Sequence, residues 1–313
     1  MLFNRIALIL SLLVTAGMSF TAGAAVSANG RQSFMPENRL HLQDRIDEKS
    51  NVSEEVFNQI IDQAYKIYTP IVAAHGGELY IDRNWKSTTV NAYAQQTGKQ
   101  WGVYMFGGLA RRPEVTPDGF ALVVCHEIGH HLGGYSFKGS RWAANEGQSD
   151  YFATQSCARQ LWGHQPETNQ AWHRLTDVPA TVQKNCDLAW KTDVNRGWCY
   201  RASAAGFSLA NLLAALGGEA KISFDTPDTK VVSVTDDEHP MGQCRLDTYF
   251  QGALCTKAFD PKVIPGKSQV QGQQSAAAEL EAAKYTCFKE DGFAIGNRPT
   301  CWFKSARKSN IKH

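Results

Sequence analysis

The stretch from Thr116 to Gly134 constrains this chain more than any other, because both ends of a helix are written into it. Thr116-Pro117-Asp118 supplies an N-cap, a first-turn proline and a first-turn acid, and Gly133-Gly134 supplies a stop, so a helix is expected from Pro117 to Leu132. In its interior stands His126-Glu127-Ile128-Gly129-His130. Positions four apart share one helix face at roughly 5–6 Å, so both imidazoles can reach a single ion from one rigid element. Surface histidines are the plainer reading of such a pair. Against that reading, Leu122, Val123, Val124, Ile128 and Leu132 make the helix largely buried, where unpaired histidines need partners.

A catalytic zinc takes three protein ligands and keeps one position open. Asn145-Glu146-Gly-Gln-Ser-Asp150 falls on a second expected helix, from about Trp142 to Trp162 and ended by Gly163. Glu146 is the expected third ligand of one zinc ion per chain. Asp150, on the same face, is expected to hold the back of a ligand imidazole; the rival assignment makes Asp150 the ligand. Gly147 inside this helix either reflects close approach of another backbone, with the first helix as the candidate, or is incidental. His131 points about 100° away from His130 and is read, like His164, as a bystander. Glu127 is the expected general base for water attacking a carbonyl. The developing oxyanion needs a donor besides the metal, for which His239 and Arg245 are candidates, although a structural histidine and a surface arginine fit the same residues.

The remaining pattern is α+β. Ser53 to Tyr68 reads as an amphipathic helix ending before Pro70. Runs at 77–82, 88–94 and 101–106 read as strands, and helices are expected near 181–190, 198–216, 242–254 and 276–284. Residues 25–52 read as an irregular lead-in and 261–277 as a linker. The first residues set Asn4-Arg5 before the apolar run Ile6–Val14 and small residues at 22–24, the pattern of a signal peptide over 1–24; a retained anchor would need about 20 apolar residues. Export favours disulfides. Of the eight cysteines, short loops suggest 186 with 199, 244 with 255 and 287 with 301, leaving 125 for 157; buried free thiols are the alternative. With 32 basic against 30 acidic residues, no global field points to nucleic acid or an anionic membrane.

Together these residues resemble the gluzincin metallopeptidases, most closely the family that includes HtpX, BepA and the CAAX prenyl endopeptidase. The matching features are Asn91-Ala92-Tyr93-Ala94 with the strand leading to Gly107, Gly108 and Leu109, then His126-Glu-x-x-His130, Glu146-x-x-x-Asp150, and His239-Pro240 followed by Arg245. The resemblance, over roughly residues 53–258, implies a compact gluzincin-type domain, taken here as 25–260, with a zinc-binding helix against a small sheet and a mostly helical C-terminal half. It implies that an edge strand near Val103 to Leu109 takes substrate by strand addition, with Asn91, Gly107 and Gly108 at the substrate. It also implies that His239 and Arg245 line the active site. The chain departs from that family in lacking transmembrane helices, in its eight cysteines, and in a C-terminal extension that carries Cys287 and Cys301; residues 278–313 read either as a small recognition module with Lys304, Arg307, Lys308 and Lys312 on a basic tail or, more plainly, as a solvated terminus. The activity expected is hydrolysis of extended or unfolded protein outside the cytoplasm; the rival is a zinc-stabilised protein that binds chains without cutting them.

Overall fold

The computed structural model describes residues 30–41, 50–138, 142–269 and 275–307. The expected signal peptide, Lys308 and Lys312 lie outside the described residues. The architecture is α+β: a four-stranded mixed sheet in the N-terminal half, then a mostly helical part.

The first elements are strand β1 (Gln32–Ser33), helix α1 (Glu54–Ala74), and strands β2 (Glu78–Asn84), β3 (Ala92–Thr97) and β4 (Gln100–Phe106). Sheet order is β1-β3-β4-β2, with β3 antiparallel to both neighbours and β2 parallel to β4. Alternation explains the two faces. Ala92 pairs with Met105 and Ala94 with Val103, all buried, while Tyr93 stacks on Tyr104 on the opposite face at 4.3 Å between ring centroids. β4 is therefore an interior strand. The expectation that the edge lies near Val103 to Leu109 is corrected, since the hydrogen-bonding edges of β4 are used by β3 and β2.

Helix α1 buries Phe57, Ile61, Ala64, Tyr68 and Val72, and Ser53 caps it by accepting from the Val56 amide. It runs through Pro70 rather than ending there. The proline forfeits one helical hydrogen bond, and the continuing turn still buries Val72 and packs Ile71 on the core.

After a short helix α2 (Gly107–Ala110) comes α3 (Pro117–Leu132), capped by Thr116 as expected and buried from Gly119 to Leu132. Asp118 in its first turn pairs with Arg201 at 2.6 Å. Helix α4 (Glu146–Phe152) starts later than the expected Trp142 because Asn145 is its cap, accepting from the Gln148 amide. A π turn (Ala153–Cys157) joins it to α5 (Ala158–Trp162). Helices α6 (Pro166–His173), α7 (Ala180–Ala189), α8 (Asp193–Gly217) and α9 (Gly242–Leu254) follow, and α10 (Ala276–Ala282) opens the C-terminal part. Of these, α6 has no counterpart among the elements expected from sequence, and β1 falls in the stretch read as irregular.

Four disulfides join 125 to 157, 186 to 199, 244 to 301 and 255 to 287. The first two pairings match expectation and the last two correct it. Cys244 and Cys255 sit at opposite ends of α9, about 16 Å apart at 1.5 Å per residue, far beyond disulfide reach. The C-terminal segment is thereby bound to the helical layer. Trp302 is fully buried against Gly147, whose added Cβ would meet the indole at 2.3 Å. The close neighbour of Gly147 is this indole, while the approach of α3 to α4 occurs at Gly129, beside Ser149. Arg298 donates to Gln148 Oε1 at 2.6 Å, and the Tyr151 hydroxyl donates to the Gly296 carbonyl at 2.6 Å. Arg307 pairs with Glu279 and Asp291. Among the described residues no helix is long and apolar enough to cross a membrane, and four disulfides fit an oxidising compartment.

Because Trp302 fills the space beside Gly147, Trp302→Ala should destabilise the protein by about 3–5 kcal/mol. Chemical denaturation monitored by far-UV circular dichroism measures it; a change under about 1 kcal/mol would show that the C-terminal segment does not brace α4.

Candidate metal centre

Helix α3 sets His126 and His130 on one face with their rings perpendicular and their centroids 4.7 Å apart. The Asn145 cap starts α4 so that Glu146 is its first residue, and Asn145 is itself held by Asp237 Oδ1 at 3.0 Å. Glu146 Oε2 then lies 3.3 Å from His126 Nε2 and 3.8 Å from His130 Nε2. These three ligand atoms form a group able to hold a metal ion.

Two observations test the fit. First, the far nitrogens of both rings are already engaged. His126 Nδ1 meets Asp150 Oδ1 at 2.7 Å, and His130 Nδ1 meets the Ala144 carbonyl at 2.8 Å and Ser149 Oγ at 3.0 Å. Protons on Nδ1 leave the Nε2 lone pairs aimed at a common point. Second, His126 Nε2, His130 Nε2 and both Glu146 oxygens are buried without hydrogen-bond partners. Buried polar atoms are rarely left so, and a cation among them would satisfy all. Neighbouring ligand atoms around a tetrahedral zinc lie roughly 3.3 Å apart, which the observed separations approach.

Asp150 is saturated on the outer side of the centre. Besides His126, it accepts from Arg245 Nε and Nη2, each at 2.6 Å, and from the Tyr249 hydroxyl at 2.5 Å. The geometry thus groups Glu146, not Asp150, with the free Nε2 atoms. Burial opposes charge on Asp150, but the Arg245 guanidinium outweighs it and holds the carboxyl below its usual range. Burial likewise opposes charge on His126, where the Asp150 carboxylate prevails and, with no cation beside it, lifts the imidazole to about 9, so a metal ion would bind Nε2 by displacing its proton. For His130 burial wins, lowering it to about 3. Burial also opposes charge on Glu146, but His239 and His130 hold its carboxyl well below the usual range.

Glu127 is buried beside this group, and neither of its carboxylate oxygens has a hydrogen-bond partner. Burial pushes its pKa well above the usual carboxylate range. His239 is half-buried with Nε2 3.5 Å from Glu146 Oε2, and that nitrogen donates to the Ser33 carbonyl at 2.7 Å. Arg245 sits behind His126 on Asp150 rather than at the Nε2 side.

The other candidates are placed differently. Asn91 accepts from the Met35 amide at 3.1 Å, fastening the segment after β1. Gly107 and Gly108 are buried against Trp85 and Thr88, whose carbonyl oxygens would lie 1.8 and 2.1 Å from an added Cβ. His131 stacks between Trp101 and Trp142 and meets the Gly102 carbonyl at 3.0 Å, and His164 is exposed beyond α5. Sequence reasoning missed Ser33, Phe34, Ser149 and Tyr249. Tyr249 was findable, standing one helical turn after Arg245 on α9. Cys125 and Cys157 tie α3, one residue before His126, to the π turn.

No protein-family model, no curated protein and no solved structure matches the chain.

The grouping of ligand atoms predicts one metal ion per chain, read by elemental mass spectrometry after dialysis. Glu146→Ala should lose it. Asp150→Asn should weaken binding by about 10–100-fold and destabilise the protein by about 3–5 kcal/mol, because Arg245 is left buried with a neutral partner. Full metal content in Glu146→Ala would refute the grouping.

Proposed function

We propose that the chain is an exported zinc-dependent endopeptidase acting on extended or unfolded protein. The observation that carries this reading is the Glu127 carboxylate, buried without a partner next to three unpartnered ligand atoms from His126, His130 and Glu146. A site that only stabilises the fold has no use for such a group, because a structural zinc closes its fourth position with a protein ligand. Zinc held by these residues would supply a Lewis acid and lower the pKa of water towards ~7.

The roles of the protein groups follow from their positions. Glu127, whose carboxylate oxygens have no other partner, takes the proton from the attacking water and returns it to the leaving amine. His239 Nε2–H, close to Glu146, is a donor for the oxyanion. Arg245 and Tyr249 act through Asp150, which fixes the tautomer of His126. The Lewis acid and His239 together would stabilise the charge that develops on the carbonyl oxygen.

A second reading, a zinc-stabilised protein that binds chains without cutting them, is favoured by one observation: the side chains of His126, Glu127, His130 and Glu146 are all fully buried.

Residues 25–313 loaded with zinc should cleave an unfolded protein, with fragments detected by mass spectrometry. Glu127→Gln should lower the rate by about 10²–10⁴-fold while keeping its metal, and a chelator should abolish cleavage. Intact substrate in every sample with zinc still bound would favour the second reading or a latent enzyme that needs activation.

A further inference from the structure

An N-terminal segment of the chain lies against His126 and His239 of the buried centre. β1 is two residues long, where strands usually have five or six, and it is added antiparallel to the outer edge of β3, with Gln32 opposite Ala94 and Ser33 opposite Tyr93. The Phe34 amide extends the pairing by donating to the Ala92 carbonyl at 3.0 Å. The other side of the same segment faces the metal centre. The Ser33 carbonyl accepts from His239 Nε2 at 2.7 Å, and the Phe34 carbonyl accepts from Arg245 Nη1 at 2.6 Å. The Phe34 ring is fully buried, edge-on to the His126 ring at 5.2 Å.

We propose that residues Arg31–Met35 occupy the place of a bound peptide, so that the fold described above is self-blocked. The inference rests on the endopeptidase reading. An incoming extended peptide needs a sheet edge for its main chain and the His239 donor for its carbonyl, and the segment uses both. A strand that served only the core would need β3 and the pocket of Phe34, but not the donor beside Glu146. The pocket filled by Phe34 also sets the substrate class: an extended chain with an aromatic or large apolar residue directly after the carbonyl that His239 binds. Residues 36–41 are exposed and are held beyond the segment by Leu40 on Val90 and His41 on Thr89, so a break between Glu37 and Asn38 frees the segment while leaving those contacts in place. Tethering holds such an occupant at an effective concentration of about millimolar; severing the tether makes it an ordinary competitor.

The test uses zinc-loaded residues 25–313 with a site-specific protease sequence inserted between Glu37 and Asn38, compared before and after cutting, and Gln32→Pro, which removes an amide from the strand. Two rates are read: loss of zinc to a chromophoric chelator, and hydrolysis of an unfolded protein. Loss of zinc should become about tenfold faster or more in the cut protein and in Gln32→Pro. A synthetic peptide of residues 30–36 should restore the slow rate in the cut protein, and its Phe34→Ala form should bind about tenfold or more weakly. Unchanged zinc loss in Gln32→Pro and in cut protein shown by mass spectrometry to have shed the segment would overturn the proposal. Faster zinc loss reversed by the peptide, with no hydrolysis by any form, would keep the blocking segment and defeat the endopeptidase reading. Equal hydrolysis before and after shedding would do the reverse.

Discussion

The structure turns on a buried negative charge at Asp150. A carboxylate removed from water is tolerable only when its lone pairs are filled and its charge is balanced. Asp150, on α4, meets both conditions with three groups from two other helices: His126 on α3, and Arg245 and Tyr249 on α9. Those three helices are therefore docked through one set of hydrogen bonds. Their mutual placement fixes which nitrogen of His126 is free, and so where a cation could sit.

Around that cluster the main-chain connections are just as specific. Gly129 lets α3 and α4 touch backbone to backbone, which brings Glu146 within 4 Å of both imidazoles. The disulfide from Cys125 to Cys157 then ties the middle of α3 to the π turn that follows α4. Rigid elements position metal ligands more tightly than loops do, and here every candidate ligand atom comes from a helix.

The parts of this arrangement that local chemistry determines were legible in the sequence. Thr116, Pro117 and Gly133 bound α3 with no reference to anything distant, and the five-residue motif within it follows from helical spacing alone. Glu146 and Asp150 were legible as a pair for the same reason. What could not be read depends on partners remote in the chain. A two-residue strand has no periodicity, so β1 is invisible until β3 is there to receive it. Gly147 pointed to a close backbone, but what lies against it is a side chain, Trp302, from the far C-terminal segment. The disulfides show the converse: a helix over 242–254 already forbids a bridge between Cys244 and Cys255, so the short-loop argument fails where rigid structure intervenes.

The nesting of two crosslinks has a consequence for assembly in time. The 255–287 bridge lies inside the loop closed by 244–301, and Trp302 follows that outer bridge directly. A chain that emerges N-terminus first presents the His126 to His130 motif, and even Glu146, long before the residues that brace α4. The centre therefore receives its last support only when synthesis has passed residue 302, so the site matures late by chain order alone.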